Sequence, residues 1–395
     1  MWLCGDPIHI CPAYTISHQH QPPPRRGKVT LAAFGCNARY YRSMYESLIR
    51  PALFKMDPER AHDLAHKFAP LLAFSPFHFE FSAPNLSTKL SGVELKNPIG
   101  LAAGCDKNGR FVEFVDRLGF GFVEVGSVCA QATKGNAKPR LFRLPEDNAV
   151  INRLGLNGDG AEAVAARLAA VKFALPTGLN IAKTNLPEIQ GDKAIADVLT
   201  CFEQVKGLPL AYVAFNASCP NTHEGILNER QQLNDIMSEV QKKNVGKLPV
   251  YIKMSPDSSE ELISDIVEIG CTHDLAGFIC GNTSLSREGL RTDAARIAEI
   301  GNGGLSGTPL KPRALALVQR VAKIKSASHQ IIACGGIASG TDAFEFLESG
   351  ATALQLYTGL VYHGPTLVAK VNRELSTLLA QKDSTRNDAQ PSISS

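Results

Sequence analysis

Residues 331–358 read "IIACGGIASGTDAFEFLESGATALQLYT", and this stretch decides the fold. Two short apolar runs, at 331–336 and 354–358, flank a segment of helical periodicity that begins near "SGTDAF". A helix placed between two such runs predicts a pair of parallel strands joined by a right-handed crossover, because that connection packs the helix back onto the sheet.

Six further apolar runs lie upstream, with helical patterns such as "SSEELISDIVEIG" between most of them. They are "IGLAAG" (99–104), "FVEVGS" (122–127), "LNIAK" (179–183), "YVAFNAS" (212–218), "YIKMSP" (251–256) and "FICGNT" (278–283). Eight runs between residues 90 and 380 predict the α/β class and a (β/α)₈ TIM barrel. An open doubly wound sheet is the alternative, but no G-x-G-x-x-G follows a first strand here. Polar residues at the ends of nearly all runs also favour the barrel.

The composition excludes several classes of protein. With 44% hydrophobic and 20% charged residues over 395 positions, the chain can bury a large core. The net charge of +3 is concentrated in residues 1–45, where five basic side chains face only Asp6, so the remainder is near −1 and no nucleic-acid partner is expected. The ten cysteines form no C-x-x-C pair, which predicts no disulfide scaffold, no metal site and a reducing compartment.

The barrel is predicted to occupy residues 82–380, with other segments on both sides. Residues 1–40 are proline-rich and basic, which indicates a disordered segment or a targeting segment. Residues 41–81 predict a small N-terminal helical hairpin domain, and residues 381–395 a disordered tail. No apolar run approaches the ~18 residues of a membrane span.

Within the hairpin, the first helix covers "YYRSMYESLIR" and is predicted to stop at Pro51. The second begins with Asp57 as its N-cap and Pro58 in its first turn. His62 and His66 have the i, i+4 spacing of metal ligands. Because no third ligand accompanies them, they are interpreted as solvated or hydrogen-bonded side chains.

Polar side chains end most of the predicted strands, where barrel enzymes place their chemistry. Asparagine offers an acceptor and two donors without charge, so several at equivalent strand ends can bind a planar ligand that carries carbonyls, ring N–H groups and a carboxylate. Lysines at the same edge favour an anionic ligand. The residues are Lys107, Gly126, Ser127, Asn152, Asn157, Asn180, Lys183, Asn216, Ser218, Cys219, Asn221, Lys253, Asn282 and Thr283.

Two glycine-rich segments, "GNGGLSGTPL" (301–310) and "ACGGIASG" (333–340), predict a phosphate site. Glycines let backbone N–H groups approach an anion closely, and the helix after the second segment adds partial positive charge. Barrels commonly bind phosphate at the loops that follow their seventh and eighth strands.

These motifs together resemble those of the dihydroorotate dehydrogenases, in particular the membrane-associated, quinone-reducing class, over residues 41–380. The most specific stretches are "NPIGLAAGCDKNG", "GFGFVEVGSV", "PRLFRLPEDNAVINRLGLN", "NASCPNT", "GGLSG", "LQLYTGL" and the helical "DPERAHDLA". The resemblance implies that the chain oxidises dihydroorotate to orotate in pyrimidine synthesis through bound FMN, with a ubiquinone-type quinone as electron acceptor.

The resemblance also implies roles for individual residues. Catalysis would depend on Cys219, Lys107 and Lys253, with Lys253 stabilising the negative charge of the reduced flavin. FMN would be held by Ala102, Ala103, Gly126, Ser127, Asn152, Asn180, Lys253, Gly281, Ser306, Gly307, Gly335, Gly336, Tyr357 and Thr358. Dihydroorotate would contact Lys107, Asn152, Arg153, Leu154, Gly155, Leu156, Asn216, Asn221, Asn282 and Thr283. The polar end of a quinone tunnel beneath the hairpin would be lined by His62, Arg143 and Tyr357.

Cys219 departs from the quinone-using class, which usually has serine at this position, whereas the soluble class uses cysteine. A thiol of reference pKa ~8.5 is partly ionised near neutrality beside cations, so Cys219 is predicted to be the general base rather than a structural thiol. Leu154, Leu156, Cys105 and Gly281 also differ from the residues usual in the quinone-using class. These differences bear on the fit of the substrate loop and on the choice of electron acceptor.

Three alternatives stay open. Cys219 also suits the same oxidation with a soluble acceptor, fumarate or NAD. A flavin-free barrel isomerase or lyase would use the glycine-rich segments for a phosphorylated substrate, and a catalytically silent barrel would serve as a scaffold. For the quinone-reducing enzyme, the apolar face of the hairpin predicts peripheral contact with a membrane, the mitochondrial inner membrane in a eukaryote or the cytoplasmic membrane in a bacterium.

Overall fold

The computed structural model describes residues 41–68, 71, 78–217 and 230–388. The strands are β1 (Thr88–Leu90), β2 (Val93–Leu95), β3 (Ile99–Leu101), β4 (Phe122–Val128), β5 (Leu141–Leu144), β6 (Ala149–Asn152), β7 (Thr177–Ile181), β8 (Tyr212–Asn216), β9 (Val250–Met254), β10 (Gly277–Cys280), β11 (Gly304–Gly307), β12 (Gln330–Cys334) and β13 (Ala353–Leu356). The α-helices are α1 (Arg50–Phe54), α2 (Pro58–Phe68), α3 (Ala161–Ala169), α4 (Asp192–Val205), α5 (Arg230–Lys243), α6 (Glu260–Thr272), α7 (Ala294–Ile300), α8 (Lys311–Ile324), α9 (Gly340–Glu348), α10 (Thr358–His363) and α11 (Leu367–Asp388).

Eight parallel strands close into a barrel in the order β10-β12-β13-β3-β4-β7-β8-β9, which confirms the predicted (β/α)₈ architecture. Each of the eight apolar runs overlaps one barrel strand. The helices lie outside and bury their apolar faces against the strands. In α4, for example, Ala194, Val198, Cys201, Phe202 and Val205 are buried at helical spacing. Burial of each large side chain stabilises the fold by about 1.5–3 kcal/mol.

Aromatic rings fill the lower half of the barrel. Phe122, Tyr212 and Tyr251 are fully buried there, and the β1–β2 hairpin packs against the same cluster and closes the floor. Gly100 and Gly178 make room for these rings: a Cβ at either position would lie within 2.3 Å of a ring atom of Phe122 or 2.1 Å of one of Tyr212. The interior is therefore packed solid at the bottom, and the space for a ligand is left at the other end.

The N-terminal helices lie over that other end. The first does not stop at Pro51 as predicted: a π-helical turn, Tyr45–Ile49, leads directly into α1, which ends at Phe54. The wider π turn precedes the proline, whose missing N–H is tolerated in the first turn of α1. The second helix begins as predicted, since Asp57 Oδ1 accepts a hydrogen bond of 2.9 Å from the N–H of Arg60.

A buried ion pair fixes α2 to the barrel. Arg140 Nη2 lies 2.7 Å from Glu59 Oε1, and Arg140 Nε donates to Glu59 Oε2 at 3.1 Å. The two residues are only 6% and 8% exposed, so the pair is desolvated as well as bidentate. Tyr45 adds a second anchor, because its hydroxyl donates to the carbonyl of Val361 at 2.8 Å. Among the described residues, no helix is both long enough and apolar enough to cross a membrane.

Two further expectations differ from the structure. The segment "GGLSG" is not a loop: residues 304–307 form β11, which pairs with β6 in a three-stranded antiparallel sheet, β11-β6-β5, and this sheet precedes the seventh barrel strand. The apolar side chains of Leu305 and Ile151 are buried in a small core beside this sheet. A prediction based on the glycines of the segment does not detect that core. At the C-terminus, α11 continues to Asp388, so residues 381–388 are helical rather than part of a disordered tail.

Candidate active site

One cavity of about 440 Å³ opens at the carboxyl ends of the barrel strands and extends to the N-terminal helices. It brings most of the predicted site residues together. Those that line it are Ala102, Ala103, Lys107, Ser127, Asn152, Leu154, Gly155, Leu156, Asn216, Lys253, Asn282, Thr283, Ser306, Gly307, Gly335, Gly336, Tyr357 and Thr358, together with His62 and Arg143 at the end beneath the helices.

Six predicted residues are placed elsewhere. Asn157 and Lys183 are not part of the cavity lining, and the Lys183 ammonium donates to the Ile189 carbonyl at 3.0 Å. Gly126, Asn180 and Gly281 do not line the cavity, although Asn180 is hydrogen-bonded to Ser127, which does. The guanidinium of Arg153 donates to the backbone carbonyls of residues 300 and 302 instead of facing a ligand. Three others, Ser218, Cys219 and Asn221, lie outside the described residues.

Asparagine side chains of β7, of β8 and of the segment that follows β10 are connected by hydrogen bonds, with one serine in the chain of contacts. Asn282 Nδ2 donates to Asn216 Oδ1 at 3.2 Å, and Asn216 Nδ2 donates to Ser127 Oγ at 3.1 Å. Ser127 Oγ in turn donates to Asn180 Oδ1 in a short contact. The predicted cluster of strand-end amides is thus one connected group, with Asn216 and Asn282 at the cavity surface.

Lys253 provides the cavity with a buried positive charge. The residue is 4% exposed, and its Nζ lies 3.5 Å from Glu124 Oε1. Burial lowers the pKa of this ammonium, but the Glu124 carboxylate more than offsets that effect, so the pKa lies above its ordinary value. Lys253 therefore stays protonated at all physiological pH values. A second predicted lysine that lines the cavity, Lys107, donates to Asn157 Oδ1 at 2.5 Å.

Bare backbone forms another wall of the cavity. Gly307, Gly335 and Gly336 have φ values of +104°, +127° and +74°, in the region that favours glycine. A Cβ on Gly336 would lie 2.6 Å from the backbone of Lys311, so a side chain there is excluded. Next to these glycines, Thr358 Oγ1 donates to Ser306 Oγ at 2.9 Å. Glycine backbone beside hydroxyl groups is a combination that suits a phosphate group.

The opposite end of the cavity lies beneath the N-terminal helices and is mainly apolar. Tyr357 OH and His62 Nδ1 are 3.2 Å apart, which joins α2 to the end of β13. Burial, His66 and Lys107 lower the pKa of His62 to about 3, so the imidazole is neutral at physiological pH. Arg143 lies with its guanidinium 4.7 Å from the ring centre of Phe54 and donates to the Met56 carbonyl.

Sequence reasoning missed the residue at the centre of this site. Glu124 is fully buried in the barrel, and it binds Asn180, Lys253, Tyr212 and Gln355. A signal for it exists, because it is the single charged residue inside the apolar run "FVEVGS", and a carboxylate is buried only when donors surround it.

A closed barrel with connected amides, a buried cation and a bare glycine wall at its strand ends defines an α/β-barrel enzyme that binds a flat, anionic ligand. The family model described as "Dihydroorotate dehydrogenase" matches residues 85–379. The chain belongs to the dihydroorotate dehydrogenase family, and this membership implies a flavin cofactor.

Two relatives named "Dihydroorotate dehydrogenase (quinone)" are similar over most of their length. The protein from Christiangramia forsetii is 39% identical over 343 residues, covering 84% of this chain and 98% of the relative. The one from Gloeobacter violaceus is 40% identical over 340 residues, covering 84% and 94%. Among solved structures, DHODH from Eimeria tenella in complex with ferulenol superposes with a TM-score of 0.76 at 32% identity, covering 83% of this chain and 93% of that one.

Proposed function

We propose that this chain is a quinone-dependent dihydroorotate dehydrogenase, which oxidises dihydroorotate to orotate in pyrimidine biosynthesis with FMN as its cofactor. The observation that carries the proposal is that one continuous cavity joins the strand-end amides to the apolar space beneath the N-terminal helices. A polar substrate and an apolar acceptor can then reach the same cofactor from two sides. The names of the similar proteins agree with this assignment.

The residues of the cavity fit a flavin mononucleotide. The glycine wall of Gly307, Gly335 and Gly336, with Ser306 and Thr358, would hold the phosphate, since a side chain at Gly336 is sterically excluded. The ring system would be held by Ala102, Ala103, Ser127, Asn152, Lys253 and Tyr357, with Gly126, Asn180 and Gly281 supporting them from behind. When bound, FMN accepts a hydride from the substrate and passes its electrons to the acceptor.

Asn216 and Asn282 would bind the carbonyl and carboxylate oxygens of dihydroorotate, together with Asn152, Lys107 and Thr283. Leu154, Gly155 and Leu156 line the cavity beside them and would exclude water from the reacting carbon atoms. Asn221 would complete the set from the segment after β8. Lys253 supplies the positive charge that balances a negative charge developing in the site.

Cys219 would be the general base. Oxidation of dihydroorotate requires removal of a proton from a carbon atom next to a carbonyl group, and Cys219 Sγ would take that proton as a thiolate. Its position three residues after the end of β8 supports this role, since Asn216 at the end of that strand faces the cavity.

The apolar end of the cavity would bind the quinone. It is lined by the apolar side chains of Leu53, Phe54, Ala61 and Ala65, which suit a quinone ring with a hydrophobic tail. His62 stays neutral in this environment, so with Tyr357 and Arg143 it can hydrogen-bond a quinone carbonyl without introducing a second full charge.

Contact with a membrane would occur through the same helices. Leu48, Phe68 and Leu71 are 67%, 52% and 58% exposed, which is unusual for large apolar side chains and supports a lipid-facing surface. This surface would place the apolar end of the cavity at the bilayer, where quinones dissolve. The membrane would be the mitochondrial inner membrane in a eukaryote or the cytoplasmic membrane in a bacterium.

Steady-state turnover with different acceptors tests the proposal against its closest alternative. Purified, flavin-loaded protein is given dihydroorotate together with a short-chain ubiquinone, fumarate or NAD, and orotate is measured. We expect sustained turnover with the quinone alone. Turnover supported by fumarate or NAD, with none from the quinone, would assign the chain to the class that uses soluble acceptors.

A further inference from the structure

The carboxylate of Glu124 lies inside the barrel, below the cavity, and accepts hydrogen bonds on both of its oxygen atoms. On Oε1, Asn180 Nδ2 donates at 3.0 Å and Lys253 Nζ lies at 3.5 Å. On Oε2, Tyr212 OH donates at 2.8 Å and Gln355 Nε2 at 2.7 Å. An ionised carboxylate can only accept, so every partner must present a hydrogen atom to it.

This restriction propagates to the cavity through four side chains. Because Asn180 must turn its nitrogen toward Glu124, its oxygen faces Ser127 and accepts the hydroxyl proton. The oxygen of Ser127 then accepts from Asn216 Nδ2, and Asn216 Oδ1 accepts from Asn282 Nδ2. We call the five residues Glu124, Asn180, Ser127, Asn216 and Asn282 the polar row.

An isolated side-chain amide has no such preference, since its oxygen and nitrogen ends have nearly the same shape and can exchange by a rotation. If the amides of the polar row were turned round, Asn180 would present its oxygen atom to Glu124. A hydrogen-bond donor would then be needed where the Glu124 carboxylate lies. The negative charge of Glu124 therefore determines the orientation of each amide in the polar row, as far as Asn282, which lies four side chains away. The charge itself is held in place by the donors on its other oxygen.

We propose that Glu124 is a positioning residue for substrate binding: its carboxylate fixes the direction of the polar row, so that Asn216 and Asn282 show the ligand one pattern of donors and acceptors. Glu124 itself does not line the cavity. The inference rests on the proposed function, because it takes dihydroorotate and orotate as the ligands of those asparagines. Dihydroorotate and orotate carry carbonyl, ring N–H and carboxylate groups in fixed positions, so a mixture of amide orientations binds them less well than one orientation does.

Glu124→Gln removes the restriction with little change of shape. The introduced glutamine has a donor end and an acceptor end. Its donor NH₂ group can face either Asn180 or the side of Tyr212 and Gln355, so the amides of the polar row are no longer held in one orientation. Lys253 also loses its carboxylate partner. We expect the dissociation constant of orotate, measured by titration calorimetry on flavin-loaded protein, to rise on the order of tenfold, as for the loss of about one well-placed hydrogen bond to a charged group. The bound flavin fraction is measured separately from its absorbance.

Tyr212→Phe is the matched control. It removes the hydrogen bond from the Tyr212 hydroxyl to the Glu124 carboxylate, and Tyr212 is as fully buried as Glu124. It leaves the carboxylate and the polar row intact. We expect its orotate affinity to stay within about twofold of that of the unaltered protein. A tenfold loss in this control would assign the effect to packing of the barrel core instead of to the direction of the row, and would overturn the proposal.

The exchange Glu124→Gln with Gln355→Glu provides a rescue. The carboxylate then lies at position 355 and accepts from the amide nitrogen at position 124, which turns the amide oxygen toward Asn180 and restores the original direction. Orotate affinity should return to within about threefold of that of the unaltered protein. If Glu124→Gln is insoluble, the exchange variant alone decides, and weak orotate binding by it overturns the inference.

Unchanged orotate affinity in Glu124→Gln would also overturn the inference. Failure of the unaltered, flavin-loaded protein to bind orotate is a different result, because it would contradict the proposed function itself.

Discussion

At the residue scale, the site is decided by which side chains face the cavity and which face away. The strand-end asparagines could be predicted because polar residues interrupt apolar runs at regular places. Arg153 was misplaced because neighbouring residues of an extended chain point to opposite sides, so that Asn152 at the end of β6 faces the cavity and Arg153 does not. Glu124 was missed because a charge inside an apolar strand has meaning only when its donors are known, and they come from four other strands.

Cys219 carries the first prediction at this scale. Cys219→Ala should nearly abolish the anaerobic reduction of the flavin by dihydroorotate, because no base takes the substrate proton. Cys219→Ser should keep part of the activity with its optimum at higher pH, since a hydroxyl ionises less readily than a thiol. Rapid-mixing absorbance of the bound flavin at several pH values measures both. Unchanged rates in Cys219→Ala would show that the thiol is structural.

At the element scale, the sequence predicted every barrel strand because each is a short apolar run with turn or helix signals on both sides. The antiparallel sheet β11-β6-β5 could not be predicted in the same way, because β11 is a glycine-rich segment that pairs with β6, far away in the chain. The N-terminal helices were predicted from their caps and periodicity. Their attachment to the barrel depends on Glu59 and Arg140, which lie 81 positions apart and show no pattern together.

Glu59→Ala tests that attachment. The change leaves Arg140 as an unpaired buried charge, which costs about 3–5 kcal/mol and should loosen α2 from the barrel. We expect turnover with quinone to fall to a small fraction of normal, while anaerobic flavin reduction by dihydroorotate keeps its rate. Glu94→Ala is the matched control, because Glu94 pairs with Lys89 at the surface, where both side chains are more than 60% exposed. Equal loss of both half-reactions in Glu59→Ala would contradict a role confined to the helices.

The lowered pKa of His62 predicts that the stability of the folded protein depends on pH. This pKa is about 3 in the folded protein against 6.5 ordinarily, so between these values the unfolded chain binds the extra proton. Stability is therefore fully present above about pH 6.5 and is lost as the pH falls, by roughly 2 kcal/mol at pH 5 from this residue alone. His62→Leu should show a smaller decrease in thermal midpoint between pH 7.5 and pH 5, measured by calorimetry. The same decrease in both proteins would mean that His62 is protonated without cost.

At the scale of the whole molecule, the barrel holds the ends of eight strands around one site while the N-terminal helices add a second, apolar entrance. The aromatic floor and the β1–β2 hairpin close the barrel at the bottom, so both ligands must approach from the carboxyl ends of the strands. This division of one cavity into a polar and an apolar part suits an enzyme that takes electrons from a small anion and delivers them to a membrane-soluble acceptor.

The most direct test of this account is an absorbance spectrum of the purified, flavin-loaded protein without oxygen, recorded before and after one equivalent of dihydroorotate and again after a short-chain ubiquinone. We expect the absorbance of the oxidised flavin to disappear with dihydroorotate, one orotate to form per flavin, and the absorbance to return with the quinone. A spectrum that dihydroorotate leaves unchanged, with no orotate formed, would contradict the account.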